Sequence, residues 1–217
     1  MEKITKTYKT YQFDELTPEV QETVMDRVRN DEHYPYDFWS EPVIEDFIED
    51  RTAEGWEIET ENVHFSGFWS QGDGASFDGE VTCETWIKFH KLEAKFPTIM
   101  KVLHDTHPLN AKIYSNHFAN HYCHSNTRYL EIEEDGQLEE YIYGWNDEAK
   151  EQAIMEKWNE EVMRLEGILE ENREELSDEL YKCLQKQYDY YMTDEAIKED
   201  LEANPNTYLA NGNIFHD

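Results

Sequence analysis

A chain of 217 residues suits one domain, or a domain with an appendage. Its 50 acidic and 19 basic residues give a formal charge of −31, which repels nucleic acid and anionic membranes and leaves basic proteins as the natural partners. A mean hydropathy of −0.91 would also suit disorder, but 6 Trp, 14 Tyr and 10 Phe spread along the chain are enough to build a core.

In chain order, residues 4–13 are β-branched and aromatic and predict a short edge strand. Thr17-Pro18-Glu19 is a helix start, and Val20, Val24 and Val28 then fall on one face. Ser40-Glu41-Pro42 opens a second helix with Val43, Ile44, Phe47 and Ile48 as its buried stripe, closed at Gly55. Residues 56–65 and 76–90 predict two strands around a glycine-rich loop, the second through alternation of Val81, Cys83, Ile87 and Phe89 with polar neighbours. Pro97 starts a helix with Ile99, Met100 and Leu103 inward, and residues 111–118 and 121–133 predict a further strand pair.

After Gly144 the pattern changes. Ile154, Trp158, Val162, Leu165, Leu169, Leu176, Leu180, Leu184 and Tyr188 recur at spacings of 3, 4 or 7, as one long amphipathic helix or two joined near 167–172. Thr193-Asp194-Glu195 caps a short helix, and Asn211-Gly212 signals a type I′ hairpin within 207–215. The expected fold is α+β: an antiparallel sheet of four or more strands packed with helices in residues 1–145, then a helical extension in 146–217 that is long and acidic. The apolar stripe could pair two copies, although packing within the chain is the favoured use. Three widely spaced cysteines, Cys83, Cys123 and Cys183, without a CxxC pair, fit a reducing cytoplasm. No apolar leader or long apolar run is present, so a soluble, unexported protein is expected.

Chemistry concentrates in residues 63–81, where four of the nine glycines meet Phe65, Phe68, Trp69 and Phe77. A hairpin whose glycines relieve strain ranks ahead of a ligand cradle. As a cradle, Trp69, Ser70, Gln71, Asp73 and Ser76 would line a pocket with His121 or His124 opposite, suited to a nucleotide stacked on Trp69. The loop lacks the Lys-Ser/Thr ending of a phosphate loop. A zinc site needs three or four converging ligands, and only His117, His121 and Cys123 could converge locally; packing and hydrogen-bonding roles rank ahead, so no metal and no cofactor are expected. With 50 carboxylates available, no acid–base pair is informative, and no catalytic residue is named.

Acid runs carry more. Residues 41–61 hold nine acids and one Arg; residues 131–148 hold eight acids and no Lys or Arg. Carboxylates ranked along a rigid face can imitate the phosphates of duplex DNA, whereas a single run is usually a solvated face. The partner-binding candidates are Glu133, Glu134, Asp135, Glu139 and Glu140, followed by Glu160, Glu161, Glu170, Glu171, Glu174 and Glu175 on the long helix.

The blocks YQFDELTPEVQ, YDFWSEPVIEDF, FSGFWSQGDGASFDG, HFANHYCHSNTRYLEIE and YDYYMTDEAIKEDLEANPNTYLANGNIF, in that order, resemble a family encoded in phage and prophage genomes. Its members are often labelled as candidate antitoxins. The resemblance implies a phage-encoded accessory protein acting in the host cytoplasm and brings no catalytic residue with it. Combined with the charge, it favours an inhibitor of a host nucleic-acid-handling defence protein by DNA mimicry. A small-ligand binder using the glycine-rich loop and an antitoxin against a basic toxin are the alternatives.

Overall fold

The computed structural model describes residues 6–36, 38–119 and 121–216. In chain order the elements are α1 (Pro18–Arg29), α2 (Glu41–Thr52), β1 (Trp56–Glu57), β2 (Val63–Ser66), β3 (Gly74–Phe77), β4 (Glu80–Thr82), α3 (Cys83–Phe89), α4 (Pro97–Asp105), β5 (Asn110–Ser115), β6 (Arg128–Glu133), α5 (Gln137–Ile142), α6 (Glu148–Tyr191) and α7 (Asp194–Ala203). They form two compact units, one of residues 1–40 with 186–217 and one of residues 41–185. The division therefore falls elsewhere than at 145/146, because most of α6 belongs with the sheet.

The larger unit is built on an antiparallel sheet in the order β1-β4-β5-β6, with β2 and β3 paired as a separate hairpin. Phe77 of β3 packs edge-on against Phe47 of α2 and Trp56 of β1, at 5.7 Å from each. Gly79 lets the chain pass from hairpin to sheet, since a Cβ there would stand 2.4 Å from the Glu57 carbonyl oxygen. The expected strand over 76–90 ends early: Cys83–Phe89 is the helix α3. Cys83, Trp86 and Ile87 are its buried residues, a spacing of 3 and 4 that serves a helix better than the alternation first read into the stretch. The expected strand over 56–65 is likewise interrupted, by a 3₁₀ turn at Thr60–Asn62.

The helix α6 runs unbroken for 44 residues, burying Trp158, Val162, Leu165, Leu169, Leu176, Leu180 and Leu184 as its spacing predicts. Gly167 does not split it. A mid-helix glycine costs about 1 kcal/mol, while each leucine buried at 165 and 169 contributes about 1.5–3 kcal/mol. Its glutamates also finish the sheet edge. Leu130 N–H donates to Glu170 Oε2 at 3.0 Å and Ile132 N–H to Glu166 Oε2 at 3.1 Å. Four helix residues advance about 6 Å and two strand residues about 6.6 Å, so successive outward N–H groups of β6 meet successive carboxylates.

In the smaller unit Phe13, Leu16, Val24, Tyr34, Ile197, Leu201 and Tyr208 form one core cluster. The Thr193 hydroxyl caps α7 by accepting from Ala196 N–H. Residues 4 and 5 of the expected N-terminal strand lie outside the described residues. The remainder reduces to a single bridge from Tyr11 to Tyr208, because residues 6–9 are exposed and offer no buried face. Tyr208 also bridges to Ile214 across the Asn211-Gly212 turn. Gly212 takes φ +77° while Asn211 does not share that sign, so the turn is not type I′, which needs both.

Candidate functional site

The glycine-rich loop closes on itself before it meets anything else. Asp73 Oδ2 accepts from Trp69 N–H at 2.9 Å and Ser70 N–H at 2.6 Å. Tyr181 of α6 donates to the Gly67 carbonyl at 3.1 Å and packs on Phe68 at 5.4 Å. Burial, helped by the Asp73 charge, raises the Tyr181 phenol above its ordinary value. Trp69 is 73 % exposed and Ser70 is exposed. Ser76 is fully buried in β3, and its Oγ finds no hydrogen-bond partner among the described residues.

Beyond the turn the loop leans on residues 122–124. A Cβ on Gly72 would come within 3.1 Å of the Tyr122 ring, and one on Gly74 within 3.0 Å of His124 Cα. The resulting cleft, about 560 Å³, is lined by Gln71, Gly72, Phe118, Tyr122, His124 and Thr127, with Asn116 and Asn126. Gln71 and His124 are thus brought together; Trp69, Ser70, Asp73, Ser76 and His121 are not among its lining residues. The cleft holds amides, one imidazole and two aromatic rings that are about half exposed, Phe118 and Tyr122. It can hydrogen-bond and stack, but it presents no lysine or arginine to a phosphate and no nucleophile paired with a base. Among the described residues no group of three His, Cys, Asp or Glu side chains converges on a point.

Behind this cleft lies a polar node that the sequence did not announce. Arg128, 5 % exposed, donates from Nε to Asp78 Oδ1 at 2.7 Å and from a terminal nitrogen to Thr127 Oγ1 at 2.9 Å. His64 Nε2 lies 3.0 Å from Asp78 Oδ2. Burial pushes the Asp78 carboxyl up, but the Arg128 guanidinium and the His64 ring together outweigh it and hold it below the ordinary value. The three residues stand 14 and 50 positions apart, and only the turn between β3 and β4 unites them.

The acidic candidates separate into two groups. Glu161, 6 % exposed, accepts from Thr98 and Ile99 N–H at 2.8 and 2.9 Å, placing an anion at the start of α4. Glu170 accepts from Leu130 and grips Arg173, which is 1 % exposed, through two bonds of 2.7 and 2.8 Å. Glu134 accepts from the Trp158 indole, and the Glu133 carboxylate beside Tyr114 pushes that phenol up to about 12. Glu161 and Glu170 serve the fold, while Glu133 and Glu134 are hydrogen-bonded but exposed. Asp135, Glu139, Glu140, Glu160, Glu171, Glu174 and Glu175 are exposed.

Two helical rows of carboxylates emerge. Glu171, Glu174, Glu175, Asp178 and Glu179 form one exposed stripe on α6, and Glu41, Glu45, Asp46, Glu49 and Asp50 form another on α2. Arg51 joins them, lying 3.7 Å from Asp50 and 3.7 Å from Glu179 while gripping the buried Glu54 at 2.8 Å. The α2 row and the last two acids of the α6 row were missed as named candidates. The acid run over 41–61, read together with the helical spacing of its apolar residues, was the signal that could have found the α2 row.

Residues 39–194, more than half of the chain, match the family model described as Domain of unknown function (DUF8835). No curated protein and no solved structure matches the chain.

Proposed function

The chain belongs to the DUF8835 family, and on that premise we propose that it is a phage-encoded acidic protein acting in the host cytoplasm. Its role is to occupy the nucleic-acid-binding surface of a host defence protein. One observation carries this reading: the paired carboxylate rows of α2 and α6, joined at Arg51, lie wholly inside the matched region. Five carboxylates over residues 171–179 span about 12 Å of helix axis. Duplex DNA carries one charge per about 1.7 Å, so the stripe approaches that density on a rigid support. A groove built for phosphates would meet comparable charge on a comparably stiff edge, and association would be steered and salt-sensitive.

The test is capture of the tagged protein's partner from host extract, repeated with Glu171, Glu174, Glu175, Asp178 and Glu179 all changed to Gln or Asn. The expected partner is a basic nucleic-acid enzyme that duplex DNA displaces, that high salt releases, and that the neutralised variant fails to hold. Binding that survives both high salt and neutralisation overturns the reading. A small basic toxin recovered in its place overturns the counter-defence role and favours the antitoxin alternative, which would use the same acidic faces.

A further inference from the structure

The lysines and arginines of this acidic chain are not spread evenly. Lys95, Lys101, Lys150, Lys157 and Arg164 line one cleft of about 700 Å³ between α4 and the first half of α6, within the roughly 300–1,000 Å³ of small-molecule sites. They are five of only 19 cations in the chain. The cleft contains two carboxylates, Glu160 and Glu161, and Glu161 is already turned into the α4 backbone. In a molecule of net charge −31 this concavity is locally cationic.

Part of the lining is held in place from within. Arg164 donates to the Lys95 carbonyl at 2.6 Å and lies 5.2 Å over the Phe96 ring. Lys101 lies 5.6 Å over Tyr141, which packs edge-on against Trp145 at 5.6 Å. Lys150 pairs with Asp147 at 2.9 Å. Lys95 and Lys157 make no ion pair among the described residues, although carboxylates outnumber cations more than twofold in the chain. Trp145, half-buried at the rim, with Ile154 and Pro97, adds an apolar wall beside the ammonium groups.

We infer that this cleft binds a nucleotide, its phosphates on Lys95, Lys157 and Arg164 and its base against Trp145. The chemistry is complementary at both ends: for phosphate oxygens, Lys95 and Lys157, without ion pairs among the described residues, and the Arg164 donors not spent on the Lys95 carbonyl; for the base, an aromatic face anchored by its own neighbour. The uncharged cleft beside Gln71 and His124 offers the first kind of group nowhere. The inference is independent of the acidic faces, which lie on other residues, so either can fail without the other.

The test is calorimetric titration of the full chain with ADP, pyrophosphate and adenosine near 0.15 M salt, where charges beyond about 8 Å are screened. ADP is expected to bind more tightly than either half. Lys95→Gln with Lys157→Gln should weaken ADP by about tenfold or more without lowering the melting temperature, since both side chains are exposed. Trp145→Ala should weaken ADP and adenosine while sparing pyrophosphate. Lys182→Gln, an exposed lysine of α6 outside the cleft, should change nothing. Absence of heat with both ADP and pyrophosphate overturns the inference, as does ADP binding unchanged in the double variant.

Discussion

At the scale of single residues, burial decides which groups are reactive and which are structural. Cys83 is fully buried at the start of α3, and burial pushes its thiol up to about 12. Cys183 is exposed and Cys123 half-buried. A thiol-reactive dye near pH 8 should therefore label two cysteines in the folded protein and the third only after denaturation; rapid labelling of all three would contradict the packing of α3. Asp78 gives a pH signature. Its carboxyl is held below the ordinary value, so its pairing contributes fully above the unfolded carboxylate pKa of about 3.9 and fades as pH falls through the lowered folded value. Asp78→Asn strands a buried guanidinium, and at neutral pH it should cost about 3 kcal/mol, the lower end for breaking a buried pair because Asp78 keeps some water contact. Urea melts of both proteins should converge as the pH is taken below 3.9, and a gap independent of pH would mean that the Asp78 charge does not matter.

At the scale of elements, α6 stabilises the larger unit with carboxylates as well as leucines, and the two contributions were unequally legible. Its apolar stripe, from Trp158 to Leu184, could be read directly from spacing. So could the starts of α1 and α4, each with Pro at the first or second helical position. What spacing could not reveal was the destination of each glutamate, because an acid facing solvent and an acid facing a backbone N–H look alike in sequence. Glu161, Glu166 and Glu170 take donors that belong to α4 and β6, and those pairings exist only after the helix docks. The same long-range logic hid Asp78, Arg128 and His64. The hairpin Val63–Ser66 with Gly74–Phe77 was legible from its glycines, while α3 was misread because seven residues are too few to separate alternation from helical spacing. Truncation to alanine should therefore produce an order that sequence does not supply. Glu170→Ala takes two hydrogen bonds from the buried Arg173, which keeps Glu174 at 3.6 Å and the Ser125 carbonyl, and should cost about 3 kcal/mol, the lower end for breaking a buried pair. Glu161→Ala uncaps α4 for about 1–2 kcal/mol, and Glu166→Ala loses one edge bond for about 1 kcal/mol. Glu171→Ala should lie within about 0.5 kcal/mol of wild type. Urea midpoints with unchanged slopes would establish the series; equal values for Glu170 and Glu171 would mean that the helix does not close the sheet edge.

At the scale of the whole molecule, a charge of −31 works against folding, and where that strain concentrates indicates what the acids are for. On the α6 stripe, Glu171, Glu174, Glu175, Asp178 and Glu179 make five like-charge neighbours at three- and four-residue spacing. Each such pair destabilises a helix by about 0.2–0.5 kcal/mol, so neutralising the stripe should raise stability by about 1–2 kcal/mol, less what Glu179 gives back in its contact with Arg51 at 3.7 Å and Glu174 in its contact with the buried Arg173 at 3.6 Å. Screening supplies the control. At 1 M salt the screening length falls to about 3 Å, so wild type should gain melting temperature with added salt while the neutralised variant gains less and the two converge. A stripe kept for folding would behave oppositely, and its neutralisation would lower the melting temperature at low salt. The same five substitutions are those expected to abolish partner capture, so the two measurements belong together. A variant that is more stable yet no longer binds shows carboxylates held at a cost to the fold for the sake of a basic surface. One that is less stable and fails to bind would return those carboxylates to the role already filled by Glu161 and Glu170, as internal partners of the backbone.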